Sequence, residues 1–241
     1  MRRVRYLDIA DELRARLEDV APGSLLPSES ELSTEFSVSR VTVRRALELL
    51  RDDGLVGARQ GFGWFVAGAP LRQELDRLGT IEDQLEASGR RAERRVLEFE
   101  FTSPPAHVAG LLGTDCTLRV KRLNLADGEP FAIVTVWCPA GLGASLSRDD
   151  VEARPFYELL GVELRGATQT IGADSIERAD ADLLVVPVGS PVLRCERLTT
   201  DTGGRPVLVS EHLFPARRTE FVVELPSAPP STSPSGLRLL D

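Results

Sequence analysis

Between Pro27 and Gly54 the sequence fits two helices around a turn of only three residues, Ser37-Val38-Ser39, and few folds accommodate that spacing. Ser28 followed by Glu31 is an S-x-x-E capping box, which predicts a helix over roughly 29–36 with Leu32 and Phe36 on one side. Ser39 is placed to cap the next helix, in which Val43, Ala46, Leu47 and Leu50 fall within an arc of about 100°. Gly54 is placed to end that helix in the left-handed conformation. Upstream, Tyr6, Ile9, Ala10, Leu13, Leu17 and Val20 repeat with helical period, and the stretch APGS then breaks the helix. Downstream, LVGARQGFGWFV reads as two short strands joined by a glycine-bearing turn at Gln60–Gly63. Three helices and a hairpin in this order describe a winged helix-turn-helix, whose third helix is shaped to enter a DNA major groove.

Charge bears on the same segment. The chain has a formal net charge of −8 and a pI near 5.0, which by itself argues against a polyanionic partner. The acidity is uneven, however. Residues 1–67 hold 10 Lys+Arg against 11 Asp+Glu, and the remainder holds 19 against 26. Arg40, Arg44 and Arg45 lie in or just before the third helix, with Arg51 at its end. Arg44 and Arg45 point away from the apolar arc, while Arg40 and Thr42 sit in the first turn, where free backbone N–H groups suit phosphate. One such arginine alone is a solvated charge as often as a contact. Several on one capped helix, after a tight turn and before a wing, point to bidentate contacts with guanine edges or phosphates.

Composition sets the remaining bounds. Apolar residues make up 42% and charged residues 27% of 241, ordinary values for folded domains, and the length suits two of them. No run of about 18 apolar residues exists to span a membrane, and the start lacks a signal-peptide core. Cys116, Cys138 and Cys195 are odd in number and widely spaced, and they read as buried thiols of a reducing cytoplasm. Neither His107 nor His212 sits in a metal-ligand motif, so no metal or other cofactor is expected. After a linker over 69–77, residues 78–226 alternate short helical and strand patterns. RRVLEFEFT alternates as a strand, PPAHVAGLLG and RPFYELLG read as short helices, and RTEFVVEL reads as a closing strand. Two hairpins turn at Asp127-Gly128 and at Asp201–Gly204. The class is α+β with an antiparallel sheet, followed by a Ser/Pro-rich tail over 227–241 that is expected to be disordered.

The motifs LPSESEL, VSRVTVRRAL, LRDDGL and ARQGFGWFV resemble the DNA-binding domain of the GntR family of bacterial transcription regulators. The resemblance implies a domain over 1–68 that binds double-stranded operator DNA. Ser39, Arg40, Thr42 and Arg44 would touch phosphates and base edges, and Gly61 would approach the minor groove at the wing tip. Ser28, Arg45 and Gln60 complete the expected contact set. Ser30 stands where many members carry a base-reading Arg, and Phe62 stands where a Lys is common.

The hairpins LRVKRLNLADGEPFA and VLRCERLTTDTGGRPV resemble the UTRA effector domain of the HutC-type branch, a fold similar to chorismate lyase. That resemblance implies a C-terminal domain that binds a small polar metabolite; the expected protein is a homodimer, since one short recognition helix buries too little surface for operator-level affinity, and a repressor released from its operator by a small polar or anionic effector. Arg122 aligns with a ligand-facing family arginine, but Asn124 replaces the second arginine that often follows. Tyr157 matches the tyrosine of an S-x-Y helix in which Pro155 replaces the serine. Glu129, Thr135, Glu211 and Arg218 are further effector candidates. The bland alternatives are a turn residue for Glu129, a solvated strand residue for Glu211 and an ion pair for Arg122. Leu208 and Thr219 stand where sugar-responsive members carry Glu and Tyr. Two competing readings remain at this level: an enzyme built on the chorismate-lyase-like fold, against which the absence of a recognisable nucleophile or acid/base pair weighs, and a dimeric DNA-binding protein with no ligand.

Overall fold

The computed structural model describes residues 5–21, 23–59, 63–68, 70–75, 85 and 89–225. In the N-terminal domain α1 (Arg5–Leu17) packs on α3 (Arg40–Asp52), with α2 (Glu29–Glu35) between turn and core. Ile9, Ala10, Leu13, Leu32, Val43, Ala46, Leu47, Leu50 and Val56 are buried in one cluster, as the helical periodicity predicts. The first stripe is shorter than expected: α1 ends at Leu17, and Val20 lies in the following turn, exposed. Both caps form. Ser28 Oγ accepts from Glu31 N–H while Glu31 accepts from Ser28 N–H at 2.7 Å, and Ser39 Oγ accepts from Thr42 N–H at 3.2 Å. The wing is an antiparallel pair, β1 (Val56–Arg59) and β2 (Gly63–Val66), with Val56 opposite Val66. Its tip, Gln60 to Phe62, falls outside the described residues, as does the tail from 226.

The segment expected as a linker contains a strand. β3 (Leu71–Glu74) pairs in parallel with β10 (Thr219–Val222), and Arg72 meets Glu220 at 3.1 Å. Four residues are too few to show a period, and the partner strand lies at the far end of the chain, so local pattern does not reveal it.

The C-terminal domain is a six-stranded antiparallel sheet in the order β4 (Ala92–Thr102), β5 (Thr117–Ala126), β6 (Glu129–Pro139), β9 (Pro206–Pro215), β8 (Pro191–Asp201), β7 (Leu164–Ser175). β5 and β6 are joined by a tight turn in which Asp127 and Gly128 both have positive φ, 53° and 82°, the conformation that Asp-Gly favours. One face is covered by α5 (Ala140–Gly143), α6 (Arg148–Ala153) and α7 (Phe156–Leu159), the other by α4 (Ala106–Leu112) and α8 (Arg178–Leu184). β7 is an edge strand, largely exposed and interrupted by Gly166 and Gly172, so pairing with β8 defines it where hydrophobic alternation does not. Cys138 and Cys195 are buried, their thiols pushed up to about 12 and about 11 by desolvation. Cys116 is exposed, against expectation, because it lies in the turn between α4 and β5. Among the described residues no helix is long and apolar enough to cross a membrane.

Candidate DNA surface and effector site

The first turns of α3 form an exposed cationic face. Arg40 donates to Ser30 Oγ at 2.8 Å, and Thr42 Oγ1 lies 2.9 Å from Ser39 Oγ. The Arg44 side chain is 62% exposed and paired with Glu29, its Nη2 donating at 2.7 Å and its Nε at 3.0 Å. Trp64 of the wing donates to the same carboxylate at 3.2 Å. Arg44 holds the Glu29 carboxyl below the usual range, so Glu29 is an internal anion in the fork that a phosphate would occupy. Ser28 is committed to its capping box, and the Arg45 guanidinium lies 5.2 Å from the centre of the Tyr6 ring. Sequence reasoning passed over Val41, which is 76% exposed between Arg40 and Thr42. An apolar side chain there suits a thymine methyl group. Its signal was a valine off the apolar arc.

The basic cluster divides in two. Arg51 is half-buried at the other end of α3, beside Asp52, in a small cavity shared with Arg217 and Arg218 of the C-terminal domain. Next to it, Asp53 pairs with Arg14 of α1 at 2.6 Å and with Arg217. Gly54 (φ 77°) brings the chain so close that a Cβ there would sit 3.3 Å from the Arg217 carbonyl oxygen. The C-terminal end of α3 is therefore docked on the C-terminal domain.

The six residues expected to hold an effector do not come together, because strand alternation divides them between the two faces. Arg122 is 6% exposed on the face covered by α5 to α7. Its Nη1 donates to the Val151 carbonyl at 3.2 Å, and its guanidinium lies 5.7 Å from the centre of the Phe156 ring. Val120 and Asn124, two residues either side, are buried on that face as the alternation predicts. Tyr157 reaches it from α7, its hydroxyl accepting from Arg197 at 2.8 Å. Thr135 and Glu211 are opposite each other in the ladder but on the reverse face, beside Lys121. Glu129 and Arg218 lie at the domain boundary, where they line a cavity of about 100 Å³ with Gly54 and Arg217. Arg218 donates to the Leu184 and Val185 carbonyls there.

The sheet supplies other partners for Arg122. Register carries its row through Val134 to His212 and Cys195, and the adjacent row through Val136 and Ser210 to Arg197 and Gln169. Arg197 donates to Gln169 at 2.7 Å, and His212 Nε2 lies 2.9 Å from Ser210 Oγ. Burial, followed by the charges of Arg197 and Arg122, pushes His212 down to about 3. The imidazole is therefore neutral at physiological pH and flanked by two guanidinium groups. Two cationic forks, a neutral donor-acceptor ring, a hydroxyl and a phenol under a helical cover can receive a carboxylate or phosphate. Sequence reasoning missed Arg197, His212, Ser210 and Gln169. The hairpin register around Asp201–Gly204 was the signal that could have placed Arg197 opposite Ser210.

Known proteins match both parts of the chain. The model of the UTRA domain matches residues 87–220, and that of bacterial regulatory proteins of the gntR family matches residues 5–66. The chain belongs to the GntR family. It is 33% identical over 234 residues to the HTH-type transcriptional regulator Rv0792c of Mycobacterium tuberculosis, covering 93% of this chain and 87% of that one. It is 24% identical to the HTH-type transcriptional repressor NagR of Bacillus subtilis, covering 90% and 93%. The crystal structure of PhnF from Mycobacterium smegmatis superposes with a TM-score of 0.63 at 26% identity, covering 91% of this chain and all of that one. A GntR helix-turn-helix joined to a UTRA domain makes this chain a metabolite-responsive, DNA-binding transcription regulator.

Proposed function

We propose that the protein is a homodimeric repressor that leaves its operator when a small anionic metabolite enters the covered face of the C-terminal sheet. The observation that carries this reading is the convergence of Arg122 and Arg197 on a neutral His212 beneath α6 and α7. A buried fork at Arg122 beside a part-buried one at Arg197 binds a carboxylate or phosphate more strongly than a surface arginine does. Dimerisation follows from size, since one short recognition helix buries too little surface for operator-level affinity.

The route from pocket to DNA runs along β9. The Phe214 ring stacks on His212 with centroids 5.8 Å apart, and Arg217 lies three residues further on, against Asp53 and Gly54 at the end of α3. An effector that shifts His212 bears on the strand end against which the recognition helix is docked. Repression is relieved to the extent that the effector binds more tightly to the state with displaced helices than to the operator-bound state.

The test is a thermal-shift screen of phosphorylated sugars, amino-acid catabolites, phosphonates and inorganic anions, followed by operator-binding anisotropy with each hit. A hit that raises the melting temperature and releases DNA supports the reading. Hits that stabilise Arg122→Ala as well as wild type, or none among the anions, would overturn it. Light scattering of the free protein tests the dimer.

A further inference from the structure

The reverse face of the sheet carries a second constellation, unrelated to the arginine cluster around His212. Glu196 of β8 and Glu211 of β9 are direct cross-strand partners, each with a side chain 28% exposed. Two carboxylates in register repel one another, and such a pair is destabilising without a cation between them. His107, in the first turn of α4 and half exposed, reaches over both. Its Nε2 lies 3.1 Å from Glu211 Oε1 and 3.6 Å from Glu196 Oε2, and all three donor atoms lie within 4.8 Å of one another.

We propose that His107, Glu196 and Glu211 bind a divalent transition-metal cation of the zinc type. Zinc takes imidazole nitrogen and carboxylate oxygen at about 2.0–2.2 Å, which sets tetrahedral ligand atoms about 3.4 Å apart. The two distances to His107 Nε2 fall on either side of that value. Two carboxylates and a neutral imidazole carry two negative charges, which a divalent ion neutralises, and the mixed N/O donor set suits zinc and its first-row neighbours. Three protein ligands leave a fourth position for water. Glu211 also lines an open cavity of about 240 Å³ with Thr135 and Lys121, which gives ion and water access.

The ligands come from α4, β8 and β9, so the ion clips a short helix to the sheet. That helix is anchored beneath by Val108 and Leu112 against Trp137 and Val209. The three ligands are far apart in the chain, which is why no motif announces them.

Full-length protein stripped of metal by a chelator, titrated with zinc chloride against a chromogenic competitor, tests the site. Wild type takes up one zinc per chain with a rise in melting temperature. His107→Ala and Glu211→Gln lose at least about tenfold in affinity, since removing even an outer-shell partner of a metal ligand costs roughly 10–100-fold. Cys116→Ser retains the site, which separates it from the exposed thiol. Glu196→Gln is the decisive variant: zinc affinity falls while the metal-free melting temperature rises, because like-charge repulsion is relieved. A fall in metal-free stability with no change in zinc uptake assigns the three residues to an ordinary imidazolium–carboxylate pair and overturns the proposal. So does uptake that survives His107→Ala, or that is lost in Cys116→Ser.

Discussion

The recognition helix α3 and the strand β5 both set arginines into an apolar pattern, and the two elements put them to opposite use. In α3 the helical period turns Arg40, Arg44 and Arg45 into water, while Val43, Ala46, Leu47 and Leu50 are wholly buried. In β5 the period of two turns Arg122 inward beside Val120 and Asn124, and Arg119 outward to Glu98 and Glu100. An exposed guanidinium costs the fold nothing and waits for a polyanion that brings its own charge density. A buried one must be satisfied locally, and Arg122 uses the Val151 carbonyl and the Phe156 ring. The same side chain is therefore left open to an external partner on one element and enclosed among local partners on the other.

The largest effect that tests this contrast is on stability. Leu47→Ala removes a side chain with no exposed surface and should destabilise the N-terminal domain by about 2–5 kcal/mol. Arg44→Ala, on the opposite side of the same helix, should leave stability within roughly 0.5 kcal/mol of wild type. Urea denaturation followed by the fluorescence of Trp64 in the wing reads both. Equal losses would mean that α3 has no division between core and DNA face.

Next in size is the loss of effector response. Arg122→Ala should weaken effector binding by about 1.5–3 kcal/mol, the value of hydrogen bonds to a charged group, while operator affinity stays at the wild-type level. Operator anisotropy with and without effector reads this as a repressor that no longer lets go. Arg119→Ala is the control on the other face. Its pairs with Glu98 and Glu100 are at the surface, so its removal should move stability by no more than about 1 kcal/mol and leave the response intact. An effector response lost in Arg119→Ala and kept in Arg122→Ala would move the site to the reverse face, next to Thr135 and Glu211.

The two regions also differ in how far sequence alone discloses them. Every element of the DNA-binding domain is local. Caps at Ser28 and Ser39 sit three residues from their partners, the apolar arc repeats within one helix, and the arginines are neighbours in the chain. The proposed effector site draws on β5, β7, β8, β9 and α7; alternation placed Arg122 on the covered face with Val120 and Asn124, and motif resemblance reached Tyr157. Nothing local links either of them to Arg197 or His212. Thr135, Glu211, Glu129 and Arg218 were legible as polar residues in strands and turns, but choosing their side of the sheet needs the register. The same limit hid β3, whose partner is the last strand among the described residues.

A third effect, smaller and confined to DNA, separates base reading from phosphate clamping on α3. Arg40→Ala or Arg44→Ala should weaken operator binding by roughly 1–3 kcal/mol wherever the side chain reads a base, and relax specificity at that position. A phosphate contact instead lowers affinity across all sequences and reduces the salt slope by about one. Glu29→Gln probes the internal competitor. With the carboxylate gone, Arg44 is released and a like charge is removed from the DNA face, so non-specific binding should strengthen. If Glu29→Gln instead weakens binding, the ion pair positions Arg44 for DNA and does not withhold it.

The smallest effect is a pH signature that belongs to the sheet and not to the helix. His212 is pushed down to about 3 in the folded protein, whereas an unfolded imidazole titrates near 6.5. Below about pH 6.5 the unfolded chain gains a proton that the folded chain refuses, so His212 favours folding above that pH and progressively less below it. Between pH 7.5 and 5.5 the loss is at most about 1.4 kcal/mol, and it needs only that the folded value lie below about 5. His212→Gln keeps a donor and an acceptor near Ser210 without the titration. The difference in unfolding free energy between wild type and His212→Gln should therefore shrink or change sign by about that amount as the pH falls across this range. Carboxylates elsewhere titrate in both proteins and cancel in the difference. A pH-independent difference would mean that the ring accepts a proton in the folded state, and a protonated His212 between Arg122 and Arg197 would make the pocket more strongly anion-selective than the neutral ring does.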